Sequence, residues 1–455
     1  MALQPPTATG HPVLGSLPDL ERDPLAAYLN ARRDHGDLVR FVVGPPEQRS
    51  EFYGVFSPAG AQQVLATSSA VFRKNSRFFD ELRMSFGNGL ITSDGDDHVR
   101  QRRLLQPLFT QRQVAGYGMD ATAEAQRLVE QWGAVPDATV DVAEEMTGHT
   151  LRVLARVLFH TGGDFEDVLE TVRRNFPIIN NYAVERSFAP VLVPRDEPTP
   201  ENIRAAKAQE ELYQVCDRVI EARVAAESAN PSELHDMLSV LARARQEDGT
   251  PLSPEEIRSQ VLVFMLAGHD PAATALTFAL HLLATHPEAQ ARALDEVDSV
   301  LAGRRPAADD MEALPYLTGV IKESLRLYPA APAVGRTPDT DVEMGEYLIP
   351  AGTDVLVCPG VVHRHPDHWE DPDRFDPDRF RPEREAERHR YAWFPFGGGP
   401  RACIGRHLTM LESVLTLAVL LQNYTFAPVD MEVPLNTNIT LRPAGPARCK
   451  LTARL

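Results

Sequence analysis

The sequence predicts a mainly α-helical protein with a small β-subdomain and one long helix running through its interior. Three observations predict this fold class. Most of the chain shows helical periodicity with helix-start signals, strand-like composition is confined to a few short segments, and the stretch VLVFMLAG is apolar on all faces. A helix that is apolar all round is buried instead of lying on a surface.

The long helix starts at a clear signal. Ser253-Pro254-Glu255-Glu256 has the pattern of a capping box with proline at the first helical position. Thr285 and Glu288 repeat the capping pattern at the next helix. A last helix is expected from Arg406 to Gln422, after a long loop and a glycine-rich turn.

The strand-like segments have β-type composition and are bounded by Gly, Pro or Asp. They are Leu38–Val43, Glu51–Phe56, Val342–Ile349 and Thr353–Cys358. These segments predict a small sheet. No Ser/Gly tract, repeat or charge block divides the 455 residues, so we expect a single domain over residues 1–455.

Composition and charge exclude several classes of protein. With 43% hydrophobic and 24% charged residues, the chain has an ordinary globular composition and none of the marks of disorder. The net charge of −18 argues against a general nucleic-acid or anionic-membrane surface. The N-terminus has no basic region or apolar core, and the apolar runs are shorter than the roughly 20 residues that span a bilayer. We therefore expect a soluble, cytoplasmic protein.

The four cysteines have no C-x-x-C spacing, which disfavours a zinc site and a disulfide framework. We interpret Cys216, Cys358 and Cys449 as small buried hydrophobes. Cys403 is different, because it lies between three glycines and the start of the last helix. Arg401, Arg406, the helix N-terminus and the free N–H groups of the loop all favour a thiolate there. A thiolate is what a metal-binding sulfur requires.

The segment Phe396–Gly405 contains F-x-x-G-x-R-x-C-x-G, formed by Phe396, Gly399, Arg401, Cys403 and Gly405. It resembles the haem-binding signature of the cytochrome P450 family. The alternative is a glycine-rich turn with an incidental structural cysteine, but the motif is long and specific. The resemblance extends over nearly the whole chain. It implies the P450 fold with a long central helix over the haem, haem b as cofactor and Cys403 as the iron ligand.

Glu323 and Arg326 lie three apart on a predicted helix and share one face, where they can pair. Alone, such a pair is usually solvated surface decoration. The P450 family has an E-x-x-R pair here that binds an arginine from a later P-x-R-F segment. Arg379, in Pro377–Phe380, matches that arginine. The resemblance therefore implies a structural role for Glu323, Arg326 and Arg379.

His98 and Arg102 are four apart and project from one helical face, so both can donate to a carboxylate. An exposed basic helix is the plainer interpretation, and it suits some of Arg100, Arg102 and Arg103. The resemblance implies that His98 and Arg102 bind a haem propionate, together with Arg336 and Arg401. Several cations are needed because unpaired buried charge is costly.

The segment AGHDPAAT resembles the family's A-G-x-[D/E]-T-[T/S] segment on the oxygen side of the haem, with matches at Ala267, Gly268 and Asp270. Small residues there leave room for dioxygen, and a lone carboxylate in an apolar helix is suited to relay protons. A paired structural carboxylate is the alternative for Asp270. We expect it to take part in catalysis.

The segment departs from the family at Pro271 and Ala272, where Thr or Ser is usual. Proline removes an N–H that would bond to the carbonyl of Ala267, at roughly 3 kcal/mol in a regular helix, and forces a kink. It also removes the hydroxyl that helps to deliver protons. Water or a substrate hydroxyl could replace it, Thr274 one turn further on could do so, or the enzyme could use peroxide. We favour oxygen activation assisted by water or substrate.

The resemblance implies a monooxygenase that takes electrons from a separate ferredoxin or flavodoxin with its reductase, because the chain stops soon after its last helix. Such partners are acidic and would dock near Arg100, Arg103 and Arg406. The expected substrate is a lipophilic molecule of secondary metabolism: a terpenoid, fatty acid or polyketide. We expect a monomer that binds neither nucleic acid nor membrane. The expected substrate-contacting segments are Phe72–Ile91, Phe176–Leu192, Phe264 with Ala267, Ala330–Val334 and Asn436–Ile439.

Two rival functions follow from the same residues. A haem-thiolate peroxygenase or isomerase is suggested by Pro271, and product formation from peroxide alone would support it. A haem-binding protein without catalysis is the other. Asp270 in an apolar helix and the ligand-sized gap expected at Gly268 speak against a protein that only binds haem.

Overall fold

A computed structural model describes residues 3–134, 138–159, 166–189, 191–229, 236–246, 249–437 and 440–454. The described part of the chain is mainly helical, as predicted. Its helices are α1 Leu17–Arg22, α2 Pro24–His35, α3 Pro58–Gln62, α4 Arg77–Phe86, α5 Gly95–Leu105, α6 Gln111–Gly133, α7 Val142–Phe159, α8 Glu166–Phe188, α9 Pro200–Ala229, α10 Met237–Arg243, α11 Pro254–Gly268, α12 Asp270–Thr285, α13 Pro287–Leu301, α14 Pro315–Leu327, α15 Pro359–Val362, α16 Pro382–Ala386 and α17 Arg406–Asn423.

The strands are short and form small sheets. They are β1 Leu38–Val43, β2 Ser50–Val55, β3 Phe72–Arg73, β4 Thr139–Asp141, β5 Val334–Pro338, β6 Val342–Met344, β7 Tyr347–Ile349, β8 Asp354–Val357, β9 Tyr424–Pro428, β10 Leu435–Asn436, β11 Arg442–Pro443 and β12 Arg448–Ala453. The largest sheet has the strand order β1-β2-β8-β5-β3, in which only the β2–β8 pair is parallel. The others are β4-β12-β9, β10-β11 and β6-β7.

The described residues cluster into two compact units. The first contains residues 1–74, 125–146 and 271–455, and the second contains residues 75–124 and 147–270. The chain passes between the units four times, so neither is a continuous piece of sequence. That the whole chain is one domain stays a prediction.

Within the described residues, the first unit carries the sheets and a large apolar core. This core is built around α12, α14 and α17, whose facing side chains include Leu280, Leu317 and Leu417, each fully buried. A second cluster packs beneath the five-stranded sheet, with Val55 and Val357 at its centre. Burial at about 25 cal/mol per Å² of apolar surface stabilises this unit.

The long central helix begins as predicted and is interrupted as predicted. Ser253 Oγ accepts from the Glu256 N–H at 3.1 Å, and the Glu256 carboxylate accepts from the Ser253 N–H at 3.2 Å, which completes the capping box. The helix breaks at His269, two residues before Pro271. Pro271 has no N–H for the Ala267 carbonyl, so the regular ladder cannot pass this point.

The stretch Pro254–Thr285 is long and apolar enough to cross a bilayer. However, 72% of its most apolar window is buried inside the protein, which is typical of a core helix.

Two predicted elements were wrong in detail. Thr285 does not cap α13. It is the last residue of α12, and its hydroxyl donates back to the His281 carbonyl at 2.9 Å, while His286 occupies the N-cap position of α13. The predicted strand Val342–Ile349 is two strands, β6 and β7, joined by a tight turn at Gly345 with φ +62°. Positive φ favours glycine at that turn.

Candidate active site

Cys403 lies in a tight loop immediately before α17. Its N–H donates to the Phe396 carbonyl at 2.8 Å, and the Gly397 N–H donates to the Phe394 carbonyl at 2.9 Å. These bonds fold the glycine-rich segment back on itself. The Cys403 residue is exposed, whereas Cys216, Cys358 and Cys449 are buried. The loop therefore presents this one sulfur.

One glycine of the motif has an identifiable steric cause. Gly399 has φ +65°, and a Cβ there would lie 1.8 Å from the Leu65 carbonyl oxygen, so no other residue fits without moving the backbone. A Cβ at Gly405 would lie 3.9 Å from the Cys403 Sγ, which is an ordinary contact distance, so sterics do not explain that glycine. The motif residue Phe396 packs on the apolar core of the first unit.

The other three cysteines are chemically inert. Burial raises the pKa of the Cys216 and Cys449 thiols to about 12, and raises that of Cys358 above its ordinary value. They stay protonated at neutral pH, and a protonated thiol is a poor metal ligand. Their interpretation as buried hydrophobes is confirmed by their burial.

Arg336 and Arg401 belong to the same unit as Cys403. Arg336, in β5, is buried, and its Nη1 donates to the Gly335 carbonyl at 2.7 Å. Arg401 is half-buried and precedes Cys403 by two residues. One accessible sulfur and two partly buried guanidinium groups in one unit are a donor set that fits a haem, because its iron takes a thiolate and its propionates take cations.

The second unit carries the other predicted cations on α5. His98 is buried and Arg102, one turn further, is half-buried. Arg100 binds the Glu256 carboxylate at 2.8 Å and lies 3.5 Å from Asp97. These acidic neighbours offset the charge of Arg100, and its part in a basic docking patch stays a prediction. Arg103 is exposed.

The helix break places His269 and Asp270 against each other. The His269 Nε2 lies 3.2 Å from the Asp270 Oδ1, and the His269 Nδ1 lies 2.7 Å from the Met265 carbonyl oxygen. The His269 residue is buried and Asp270 is half-buried. Sequence reasoning singled out Asp270 and missed His269. The sequence did offer a signal for His269, which lies directly before Asp270 and two residues before the helix-breaking Pro271.

Packing within the second unit explains why residue 268 is a glycine. A Cβ there would lie 2.8 Å and 2.9 Å from the two methyl groups of Leu154 on α7. Close packing of α7 on α11 therefore requires this glycine. That Gly268 and the half-buried Ala267 also leave room for dioxygen stays a prediction.

Thr274 has a structural contact that sequence reasoning did not foresee. Its buried hydroxyl donates to the Leu441 carbonyl at 3.0 Å. A buried donor gives up such a bond only at a cost of about 1–3 kcal/mol, which disfavours this hydroxyl as a proton donor. That Thr274 substitutes for the hydroxyl missing at Pro271 stays an untested alternative.

The predicted three-residue ion cluster is present. Arg326 Nε and Nη2 donate to the two Glu323 oxygens at 2.6 and 2.8 Å, and Arg379 Nε lies 3.3 Å from Glu323 Oε1. The Arg326 Nη1 also donates to the His363 and Pro372 carbonyls at 2.9 and 2.6 Å. The cluster therefore ties α14 to the loop that precedes the cysteine segment.

The expected substrate segments contain apolar and aromatic contacts within the second unit. Phe264 stacks on Phe109 with ring centroids 5.4 Å apart, and Phe86 lies 5.0 Å from Phe176. In the first unit, the Leu441 N–H donates to the Ala330 carbonyl at 2.8 Å, so the chain two residues after the predicted Asn436–Ile439 turn contacts the Ala330–Val334 segment. Residues 438–439 of the predicted Asn436–Ile439 turn lie outside the described residues.

Known proteins share this fold. The solved structure described as the cytochrome P450DA heme domain covers 100% of this chain and 99% of its own, with a TM-score of 0.87 at 27% identity. A mainly helical fold with an exposed cysteine in a glycine-rich loop defines a haem-thiolate protein. The chain belongs to the cytochrome P450 family, whose model matches residues 5–451. It is a P450 monooxygenase, and its cofactor is haem b.

Two named relatives are similar over nearly their full length. The cyclooctat-9-en-7-ol 5-monooxygenase of Streptomyces melanosporofaciens is 36% identical over 425 residues, which is 93% of this chain and 90% of the relative. The pentalenene oxygenase of Streptomyces avermitilis is 36% identical over 447 residues, or 97% and 96% of the two chains.

Proposed function

We propose that this protein inserts one oxygen atom of O2 into a terpenoid, with Cys403 as the iron ligand and with electrons from a separate redox protein. The observation that carries this proposal is the exposed Cys403 in its hydrogen-bonded, glycine-bounded loop, in a chain whose other three cysteines are buried. When bound, haem b supplies activation of dioxygen, favoured by electron donation from the thiolate.

The chain's own residues hold and orient the cofactor. Arg336 and Arg401, in the unit that carries Cys403, supply cations for the propionates, and the family resemblance assigns the same role to His98 and Arg102. Gly399 lets the loop turn closely, and Phe396 packs the loop against the core. The Glu323, Arg326 and Arg379 cluster stabilises the loop that leads to this segment.

A terpenoid is favoured over a fatty acid or polyketide for two reasons. Two similar proteins are named for cyclooctat-9-en-7-ol and for pentalenene. The expected substrate segments contribute aromatic rings, Phe264 among them, that bind an apolar polycycle through dispersion and burial. The carboxylate of Asp270 serves as the proton relay, with water or a substrate hydroxyl where the family has a threonine.

The electron donor is a ferredoxin or flavodoxin with its reductase. Arg103 and Arg406 are exposed cations suited to an acidic partner. Arg103→Glu and Arg406→Glu should slow reduction, most strongly at low salt, whereas Arg22→Glu serves as a control at another exposed arginine. Unchanged reduction rates in the first two variants would reject this docking site. We further propose a soluble, cytoplasmic monomer.

The main test is the absorption spectrum of the purified holoenzyme. The ferrous CO complex should show the red-shifted Soret band of a thiolate ligand, Cys403→Ser should lose it, and Cys449→Ala should keep it. Titration with terpenes, fatty acids and polyketides should shift the ferric Soret band from low to high spin for the terpene class. A band that survives in Cys403→Ser would overturn the ligand assignment, and a response only to fatty acids or polyketides would overturn the substrate class.

The helix break at His269 and the proline that causes it favour one second candidate, a peroxygenase. Such an enzyme would form product from hydrogen peroxide at the same rate with and without reductase and NADH. Product that requires the redox partner would exclude it.

A further inference from the structure

The contacts of His269 determine which of its ring nitrogens carries hydrogen. The Nδ1 lies 2.7 Å from the Met265 carbonyl oxygen, and a carbonyl oxygen can only accept. Nδ1 therefore carries a hydrogen. In a neutral imidazole the other nitrogen, Nε2, is then a bare acceptor.

That bare acceptor faces a carboxylate. Nε2 lies 3.2 Å from Asp270 Oδ1. Two acceptors at this distance repel each other unless one proton lies between them. The pair must be either an imidazolium beside a carboxylate or a neutral imidazole beside a carboxylic acid. In both forms it holds one proton more than a neutral ring beside a carboxylate.

Contacts with α7 and α8 hold the backbone and the ring of His269 in place. The His269 carbonyl accepts from the Thr150 hydroxyl of α7 at 3.1 Å, and the Phe176 ring of α8 meets the imidazole edge to face at 6.0 Å. The His269 side chain is only 8% exposed, while that of Asp270 is 18% exposed. Asp270 is thus the member of the pair with more access to solvent, and His269 lies behind it.

We infer that His269 and Asp270 act as one proton-holding pair, in which His269 positions and reprotonates Asp270. This inference rests on the proposed function and supplies the proton-handling group where Pro271 has replaced the usual hydroxyl. The shared proton passes from Nε2 to the Asp270 oxygen, and Asp270 gives it to an acceptor on its exposed side. The pair is then left as a neutral imidazole with its hydrogen on Nδ1 beside a carboxylate, and solvent returns one proton.

The first test reads the protonation state directly, without turnover. In the diamagnetic ferrous CO complex of the 15N-histidine-labelled holoenzyme, His269 should show a hydrogen-bonded Nδ1–H, and its Nε2 resonance should report a shared proton. In Asp270→Asn the side-chain amide donates instead, so the ring should become the neutral Nδ1–H tautomer. A wild-type ring with a bare Nδ1, or one whose Nε2 resonance is unchanged in Asp270→Asn, would overturn the inference.

The second test uses hydrogen peroxide with guaiacol as electron donor, so it needs neither the natural substrate nor a redox partner. Cleavage of the O–O bond requires a proton to pass from one peroxide oxygen to the other. His269→Gln keeps a donor but cannot exchange a proton, so kcat should fall about 10²-fold, in the range of general acid–base catalysis. The solvent deuterium isotope effect should rise, and His281→Gln, another buried histidine, should change neither.

Because the two residues act as one unit, the double variant His269→Gln/Asp270→Asn should lose no more activity than the worse single variant. Multiplicative losses, or full activity in His269→Gln, would contradict the inference. Failure of the proposed function shows separately, as a wild-type CO spectrum without a thiolate band.

Discussion

Arg326 donates two side-by-side hydrogen bonds to Glu323, at 2.6 and 2.8 Å, and neither side chain has any exposed surface. The Glu323 carboxylate also accepts from the Asp376 N–H at 3.0 Å. Every strong contact of this ion pair thus lies inside the first unit. Burying two charges away from water is costly. The hydrogen bonds to the Glu323 oxygens and from the Arg326 nitrogens offset that cost.

Removing one partner of the pair should therefore lower the free energy of unfolding. Glu323→Gln leaves the Arg326 guanidinium buried without its counter-charge, which costs about 3–5 kcal/mol of unfolding free energy. The measurement is urea denaturation of the holoenzyme. Arg22→Gln breaks an exposed pair with Asp19 at the same three-residue spacing and should leave the unfolding midpoint unchanged. Equal effects of the two variants would contradict this account.

Gly268→Ala should destabilise the protein by about 1–3 kcal/mol, because the new Cβ would lie 2.8 Å from a Leu154 methyl. In the double variant with Leu154→Ala the loss should be smaller than the sum of the single losses, as measured by urea denaturation. Gly116→Ala is the control. It is also a helical glycine, but a Cβ there meets nothing within 4 Å, so that variant should be about 0.5–1 kcal/mol more stable. Additive losses would refute the packing explanation.

Thr274→Val should affect stability and leave catalysis intact. It removes the hydroxyl that donates to the Leu441 carbonyl, at a cost of about 1–3 kcal/mol. The rate of guaiacol oxidation by peroxide should stay within a factor of about two. Thr277→Val, whose hydroxyl is 3.5 Å from the Val142 carbonyl, should lose less stability. A large loss of activity at unchanged stability would restore the catalytic role first expected for Thr274.

Glu412 on α17 should make stability depend on pH. Burial raises the pKa of its carboxyl to about 8, and its Oε1 has no hydrogen-bond partner among the described residues. The folded state therefore keeps a proton that the unfolded chain loses near its ordinary pKa of 4.5. This favourable contribution is complete below about pH 4.5 and is lost as the pH rises towards 8.

Glu412→Gln cannot ionise, so its unfolding free energy should gain about 4 kcal/mol relative to the natural protein between pH 5 and pH 8. Urea denaturation at the two pH values gives this difference, in which the other titrating groups cancel. Glu432→Gln, at an exposed position, is the control and should follow the natural protein. Parallel pH curves for Glu412→Gln and the natural protein would rule out a buried neutral carboxyl.

Local signals predicted a large part of the fold. The bounds of β1, the capping box at Ser253 and the start of α17 at Arg406 follow the sequence. A kink in the central helix was predicted from Pro271 alone, and the structure interrupts the helix at His269. Such predictions succeed because a proline ring, a capping hydroxyl and an alternating strand act on neighbours within about one turn.

Predictions from local sequence were wrong where one residue pattern was compatible with two structures. Thr285 could cap the next helix or bond back to the preceding one, and it bonds back to His281. The pair of Val342–Met344 and Tyr347–Ile349 was expected as one strand because β-type composition continues through both. The turn at Gly345 separates them.

The sequence by itself determined the Cys403 loop, the family and the helix break, since each depends on residues that are adjacent in the chain. Only the tertiary structure decided what the side chains do. It committed the Thr274 hydroxyl to a carbonyl 167 residues away, set Leu154 against Gly268, and closed the Glu323 cluster with Arg379. These outcomes depend on which distant atom comes within hydrogen-bonding or van der Waals distance, and packing of the whole unit decides that.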